Sequence, residues 1–217
     1  MKKIIALCLA LAMAFSMTAC GCKHGSAKMK LTNIDTTALT AKWEVSCAEC
    51  GEFLETRDAD TGVAPENGVF RLSPQDWFAC LSTNIKNFDT TGSLIPIAAD
   101  PQDDALLYSV LSMSGLKTAI SFFDAQDNVL TTQQAAQTDI IHRIRVEAQF
   151  DNANALQFYA LLVILARNNN STLESEAGNA LGQQVMSGTP VTDNGYRYTM
   201  EILSVADHTV AVHIVAE

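Results

Sequence analysis

Between Ser73 and Val215 the chain twice sets a helical period ahead of paired alternating segments, and this order confines it to a narrow set of folds. A parallel sheet needs a long crossover, usually a helix, between successive strands. Here Lys117–Phe123 follows Ala105–Met113 across a short turn at Ser114-Gly115, and Thr209–Val215 follows Tyr196–Val205 across Ala206-Asp207-His208, spacings that suit hairpins. The order predicts an α+β fold, an antiparallel sheet with its helices packed on one face and its other face free. A weak internal echo runs through it, 73–124 against 152–217. Tyr108-Ser109-Val110 ahead of Thr118-Ala119-Ile120 answers Tyr198-Thr199-Met200 ahead of Thr209-Val210-Ala211.

The first helix is signalled at Ser73-Pro74-Gln75-Asp76, where Ser73 can cap, Pro74 suits the first helical position and Asp76 favours the positive end of the dipole. Trp77, Cys80, Leu81, Ile85 and Phe88 then recur at three- and four-residue steps, placing Cys80 on a buried stripe. A second helix is expected over Ala153–Arg167, with Leu156 to Leu165 apolar on nearly every side. That run is about half the roughly 20 residues a bilayer span needs, so it reads as a central core helix. After Asn168–Asn170 a third helix restarts at Ser171-Thr172-Leu173-Glu174 with capping-box spacing. Strands are expected at Leu94–Ala98 and at Asp139–Phe150, where Ile140, His142, Ile144 and Val146 alternate with Ile141, Arg143, Arg145 and Glu147.

Ahead of this domain, assigned to 70–217, residues 57–69 carry acids, Pro65 and Gly62 and Gly68 with little apolar content, and read as a linker. Residues 20–56 form a separate small module. Met29 with Leu31, Trp43 with Val45, and Phe53 with Leu54 mark three short strands around Cys47-Ala48-Glu49-Cys50-Gly51. In C-x-x-C-G a tight turn lets two thiolates reach one metal, and the glycine lets the backbone reverse while neighbouring N–H groups face sulfur. Structural zinc takes four ligands, and the nearest further donors are Cys22 and His24. The pattern resembles a reduced zinc-ribbon knuckle with Cys22-Lys23-His24 in place of the second C-x-x-C. The resemblance implies one structural zinc on Cys22, His24, Cys47 and Cys50. A Cys47–Cys50 disulfide, a bridge from Cys22 and free thiols stand beside it as alternatives.

The start of the chain concerns address. Lys2 and Lys3 precede an uncharged apolar run, Ile4–Met17, of about 14 residues, closed by Thr18-Ala19-Cys20-Gly21. This resembles the signal peptide and lipobox of bacterial lipoproteins. The resemblance implies that 1–19 is removed, that Cys20 carries diacyl and N-acyl (palmitate-type) chains, and that the product sits on the extracytoplasmic face of the cell membrane. Several acyl chains, at about 0.8 kcal/mol per buried CH₂, make such an anchor effectively permanent.

Removal of Lys2 and Lys3 takes the formal charge of −10 to −12, and no Lys/Arg cluster remains to neutralise phosphates, which excludes nucleic acid as a partner class. No G-x-S-x-G, H-E-x-x-H, Walker or EF-hand pattern occurs. His142 and His213 fall in strand patterns, Asp207-His208 in a turn, and the pairs Asp58/Asp60 and Asp103/Asp104 in polar stretches that suit solvated charge better than a carboxylate dyad. The expectation is a lipid-anchored extracytoplasmic protein whose α+β domain binds a protein or small-molecule ligand. The competing expectation is a cell-surface enzyme of hydrolase type whose site forms no linear motif.

Overall fold

A computed structural model describes residues 22–100, 102 and 107–217. The expected signal peptide, the acylated Cys20 and the pair Asp103/Asp104 lie outside the described residues. The chain divides into two compact units, 22–32 with 42–58, and 33–41 with 59–217.

The first sheet has three strands in the order β1 (Ala27–Asp35), β2 (Thr40–Cys47) and β3 (Phe53–Asp60). Its β1–β2 turn is closed by Asp35, whose carboxylate accepts the amides of Thr37 and Ala38 at 2.9 and 2.8 Å. Among the described residues of the first unit only Val45 and Cys47 are buried.

The segment expected as a linker, 57–69, differs from expectation over its first half. Residues 57–60 continue β3, where Lys42 pairs with Asp58 at 2.6 Å. Thr61 is buried, and its hydroxyl and amide reach the Leu39 carbonyl. Gly62 lies so close to the backbone of Ser171 that an added Cβ would stand 2.6 Å from its nitrogen. Turn-forming composition thus marks a chain reversal packed into the second unit, because Thr and Gly satisfy close backbone contacts as readily as they tolerate solvent.

In the second unit α1 (Pro74–Phe88) begins as its sequence predicts, with the Ser73 hydroxyl accepting the Asp76 amide at 3.1 Å and Pro74 in the first turn. Trp77, Phe78, Cys80, Leu81 and Ile85 are buried. Then come β4 (Leu94–Ile97), β5 (Ser109–Ser112), β6 (Lys117–Phe123), the short α2 (Thr132–Ala135), β7 (Arg143–Gln149), α3 (Ala155–Asn169), α4 (Ser175–Met186), β8 (Val191–Asp193), β9 (Tyr196–Ser204) and β10 (Thr209–Ala216). The strands form one antiparallel sheet in the order β4-β5-β6-β7-β10-β9-β8. The two halves of the internal echo become two meanders, β4-β5-β6 and β8-β9-β10, joined through β7. The fold is the expected α+β arrangement, preceded by the small three-stranded sheet.

Period-two alternation decides the faces. Register sets Phe122, Ile144, Ile214 and Tyr198 in one row across the sheet, and Ile120, Val146, Val212 and Met200 in the next. These rows meet the helices: the Trp77 ring of α1 stands edge-on to Phe122 at 5.8 Å, and Asn169 of α3 donates to the Tyr198 hydroxyl at 3.1 Å. The opposite face carries Ser121, Arg145, His213 and Thr199, followed by Ala119, Glu147, Ala211 and Glu201.

Three local expectations differ from the structure. β7 begins at Arg143 rather than Asp139: Ile140 is 54% exposed while Ile141 is fully buried, its carbonyl accepting the Phe70 amide at 2.9 Å. Alternation cannot separate a strand from an irregular lead-in that hides one isoleucine and shows the next. In α3, Phe158, Leu161, Leu162, Ile164 and Leu165 form the expected core, but Leu156 is 67% exposed at the first turn. Ser171 does not cap α4, which starts at Ser175 after Glu174; its amide is used by the Gly62 carbonyl at 3.2 Å. A complete capping box occurs instead at Thr131–Gln134.

A polar seam runs through the apolar layer. Trp77 Nε1 donates to Asn169 Oδ1 at 2.8 Å, Asn84 Nδ2 to Asn168 Oδ1 at 2.9 Å, and Asn168 Nδ2 to the Trp77 carbonyl at 3.2 Å. Asn84, Asn168 and Asn169 are all buried. The Asn168–Asn170 stretch that reads as a helix interruption is where α3 is tied to α1 and to β9. Among the described residues no helix is long and apolar enough to cross a membrane.

Candidate metal centre

The β2–β3 turn is built to converge sulfur. Cys47 donates its amide to the Glu52 carbonyl at 2.8 Å, Gly51 donates to the Cys47 carbonyl at 2.9 Å, and Ala48 donates to the Ser26 carbonyl at 3.1 Å, which holds the segment entering β1 beside the turn. Gly51 sits at φ +75°, a left-handed conformation that favours glycine. The turn therefore presents Cys47 and Cys50 towards the segment that carries Cys22 and His24.

All four residues meet. One ligand atom from each of Cys22, His24, Cys47 and Cys50 lies within 4.8 Å of every other. Cys22 Sγ is 3.0 Å from Cys47 Sγ, and Cys50 Sγ is 4.0 Å from His24 Nδ1. A zinc tetrahedron with Zn–S of about 2.3 Å and Zn–N of about 2.0–2.1 Å has ligand-to-ligand edges of about 3.5–3.8 Å. The cluster brackets those edges, so a metal requires shifts of under about 1 Å, within the reach of side-chain torsions. Among the described residues, these four are the group of His, Cys, Asp and Glu side chains placed to hold a metal ion.

The electrostatics of the sulfur pair follow from its closeness. Hydrogen bonding with Cys47, and then with Glu49, pushes the Cys22 thiol up to about 12, while the bond from Cys22, followed by the Cys50 amide, brings Cys47 down to about 6. The two sulfurs thus share a proton across 3.0 Å. A cation with a charge of two displaces that proton and takes both sulfurs. The Glu49 carboxylate lies 3.1 Å from Cys22 Sγ, and Glu52 lies 3.5 Å from His24 Nε2. None of the described cysteines is joined in a disulfide. Cys80 lies apart in α1, where burial pushes its thiol up to about 11 and leaves it unreactive.

Sequence reading selected the four ligand residues but missed Glu49 and Glu52. Both stand within C-A-E-C-G-E, and acids inside and directly after a knuckle were the available signal. The other titratable candidates do not converge. His213 faces Glu201 at 3.3 Å and Arg143 at 2.9 Å on the open sheet face, where Arg143 also pairs with Asp127 and lies over the Phe123 ring. Arg145 pairs with Glu147 at 2.7 Å on the same face. Asp58 is held below the usual carboxylate range by its bond to Lys42. His208 is an exposed turn residue at φ +52°.

Near that turn lies a cleft of about 530 Å³, lined by Phe150, Ala153, Ile202, Val205 and Val210 with Asp151 and His208 among its polar residues. Ile202 and Val205 are 64% and 78% exposed.

Comparison of the chain with protein-family models, with curated proteins and with solved structures returns no match.

Proposed function

We propose that this chain is a lipid-anchored extracytoplasmic lipoprotein in which Cys22, His24, Cys47 and Cys50 hold one structural zinc, and whose α+β domain is a binding or interaction module. The observation that carries the metal reading is the convergence of four soft and borderline donors, from 22–24 and 47–50, within 4.8 Å. A three-sulfur, one-nitrogen set suits tetrahedral zinc. The module around it supports a structural role, since a unit whose described buried side chains are Val45 and Cys47 has little apolar core and gains from a staple. Binding free energy at such a site is folding free energy.

Interaction rather than catalysis is favoured by the apolar cleft and by the state of the open sheet face, where Arg143, Arg145 and His213 are each engaged by a carboxylate. The anchor rests on the Met17-Thr18-Ala19-Cys20 pattern.

Cobalt substitution tests the metal site. The whole chain titrated with Co(II) is expected to develop tetrahedral ligand-field bands with thiolate-to-cobalt charge transfer, and Cys47→Ser to lose them; an octahedral spectrum from the unsubstituted chain would overturn the reading. Labelling of expressing bacteria with a fatty-acid analogue tests the anchor. Label lost on Cys20→Ala is required, and label retained removes Cys20 as the acylation site.

A further inference from the structure

The geometry points to Glu52 as the positioning residue of the metal centre: its carboxylate takes the Nε2–H of His24 and thereby commits Nδ1 to the metal. The inference rests on the metal reading above and deepens it. A histidine offers either nitrogen, and the one left free must be protonated and is ordinarily engaged by a carboxylate or carbonyl. Here the two nitrogens face different chemistry. Nδ1 stands 4.0 Å from Cys50 Sγ, a ligand of the proposed site. Nε2 stands 3.5 Å from Glu52 Oε2. Closure of that gap to hydrogen-bond length needs only a small rotation of an exposed glutamate side chain.

The placement of Glu52 is fixed by the same turn that places the cysteines. Its carbonyl accepts the Cys47 amide at 2.8 Å, so the residue that orients the histidine is locked in register with the first knuckle ligand. Substitution of its side chain leaves that backbone bond intact. Glu49, the other acid of the turn, lies 3.1 Å from Cys22 Sγ and serves a different ligand. Two carboxylates beside a three-thiolate site also add negative charge around a divalent cation. The distinctive claim for Glu52 is directional, because it selects a tautomer.

The size of the effect follows from exposure. Loss of an outer-shell partner costs about 10–100-fold in metal affinity, and with the Glu52 side chain 60% and that of His24 36% exposed, water competes for the bond and sets the expected loss near 10-fold.

The test uses the whole chain with zinc and a competing chelator dye. Wild type, Glu52→Ala, Glu52→Asp and Glu44→Ala are compared, Glu44 being an exposed acid of β2. Glu52→Ala is expected to bind about 10-fold more weakly, Glu52→Asp to recover the affinity, and Glu44→Ala to match wild type. Long-range ¹⁵N–¹H correlation on the zinc-loaded wild type supplies a readout that needs no variant to fold, with His24 expected as the metal-bound Nδ1, protonated Nε2 form. Equal affinity of Glu52→Ala and wild type, or a metal-bound Nε2, overturns the inference while leaving the metal site standing. A wild-type chain that takes no zinc overturns the metal reading itself.

Discussion

Removal of the Asn169 side chain should weaken the α+β domain out of proportion to its size. Its Oδ1 accepts Trp77 Nε1 at 2.8 Å and its Nδ2 donates to the Tyr198 hydroxyl at 3.1 Å. Trp77, Asn169 and Tyr198 are 1%, 2% and 2% exposed, so water cannot replace either bond. The Tyr198 phenol is already pushed well above its ordinary range by burial, which shows how poorly that site solvates charge. Asn169→Leu keeps the volume but leaves an indole N–H and a phenol without their partner. At about 1–3 kcal/mol for each orphaned group, the loss is about 2–6 kcal/mol. Urea unfolding followed by far-ultraviolet circular dichroism reads it as a midpoint lowered by about 1 M or more with unchanged slope, for a slope of about 1–3 kcal/mol/M. Tyr198→Phe provides the control, since in the Asn169→Leu background it should cost less than in wild type, with a coupling of about 0.5–3 kcal/mol. A loss below about 0.5 kcal/mol, or additive single substitutions, would refute the view that this seam joins helix layer to sheet.

Gly62→Ala places a methyl 2.6 Å from the Ser171 nitrogen and strains the bond from that amide to the Gly62 carbonyl, so a loss of about 1–3 kcal/mol is expected in thermal or urea unfolding. Partial burial raises the Asp89 carboxyl, but bonds from the Thr91 hydroxyl and the Leu94 and Thr91 amides outweigh it and leave the group below its ordinary value. A folded value below the unfolded one contributes stability that is complete above about pH 4 and lost as pH falls through the folded value, so Asp89→Asn should show a shallower acid limb than wild type in unfolding midpoints measured from pH 5 downward. The cleft beside the β9–β10 turn should take up an apolar fluorescent probe, and Val205→Asp, which puts a charge on its rim, should abolish that enhancement while the unfolding midpoint moves by less than about 0.5 kcal/mol.

How much of this was legible in the sequence depends on whether a feature is local. The Ser73-Pro74 start, the β5–β6 and β9–β10 hairpins and the period-two rows of β7 and β10 follow from spacing, and so does the α+β order. The knuckle pair Cys47/Cys50 is equally local, and Cys22 with His24 could be nominated because few other donors exist nearby. Tertiary pairing was not legible. Alternation marks β7 as a strand but not its place between the two meanders, while Gly62, pinned to Ser171, and the asparagine run, a buried seam, have the composition of linkers and loops. Ser171–Glu174 shows the same limit from the other side, since a capping-box spacing forms no box where the serine amide is already committed elsewhere.

Native against denaturing mass spectrometry of the whole chain reads directly whether the converging cysteines and histidine hold one metal ion. A native mass higher by one zinc, lost on denaturation, is expected, with Cys22, Cys47, Cys50 and Cys80 then all alkylatable; zinc should persist in Cys80→Ser and vanish in Cys47→Ser. A metal-free native mass with those four thiols alkylatable, or a mass short of two hydrogens with two of them protected, would contradict it.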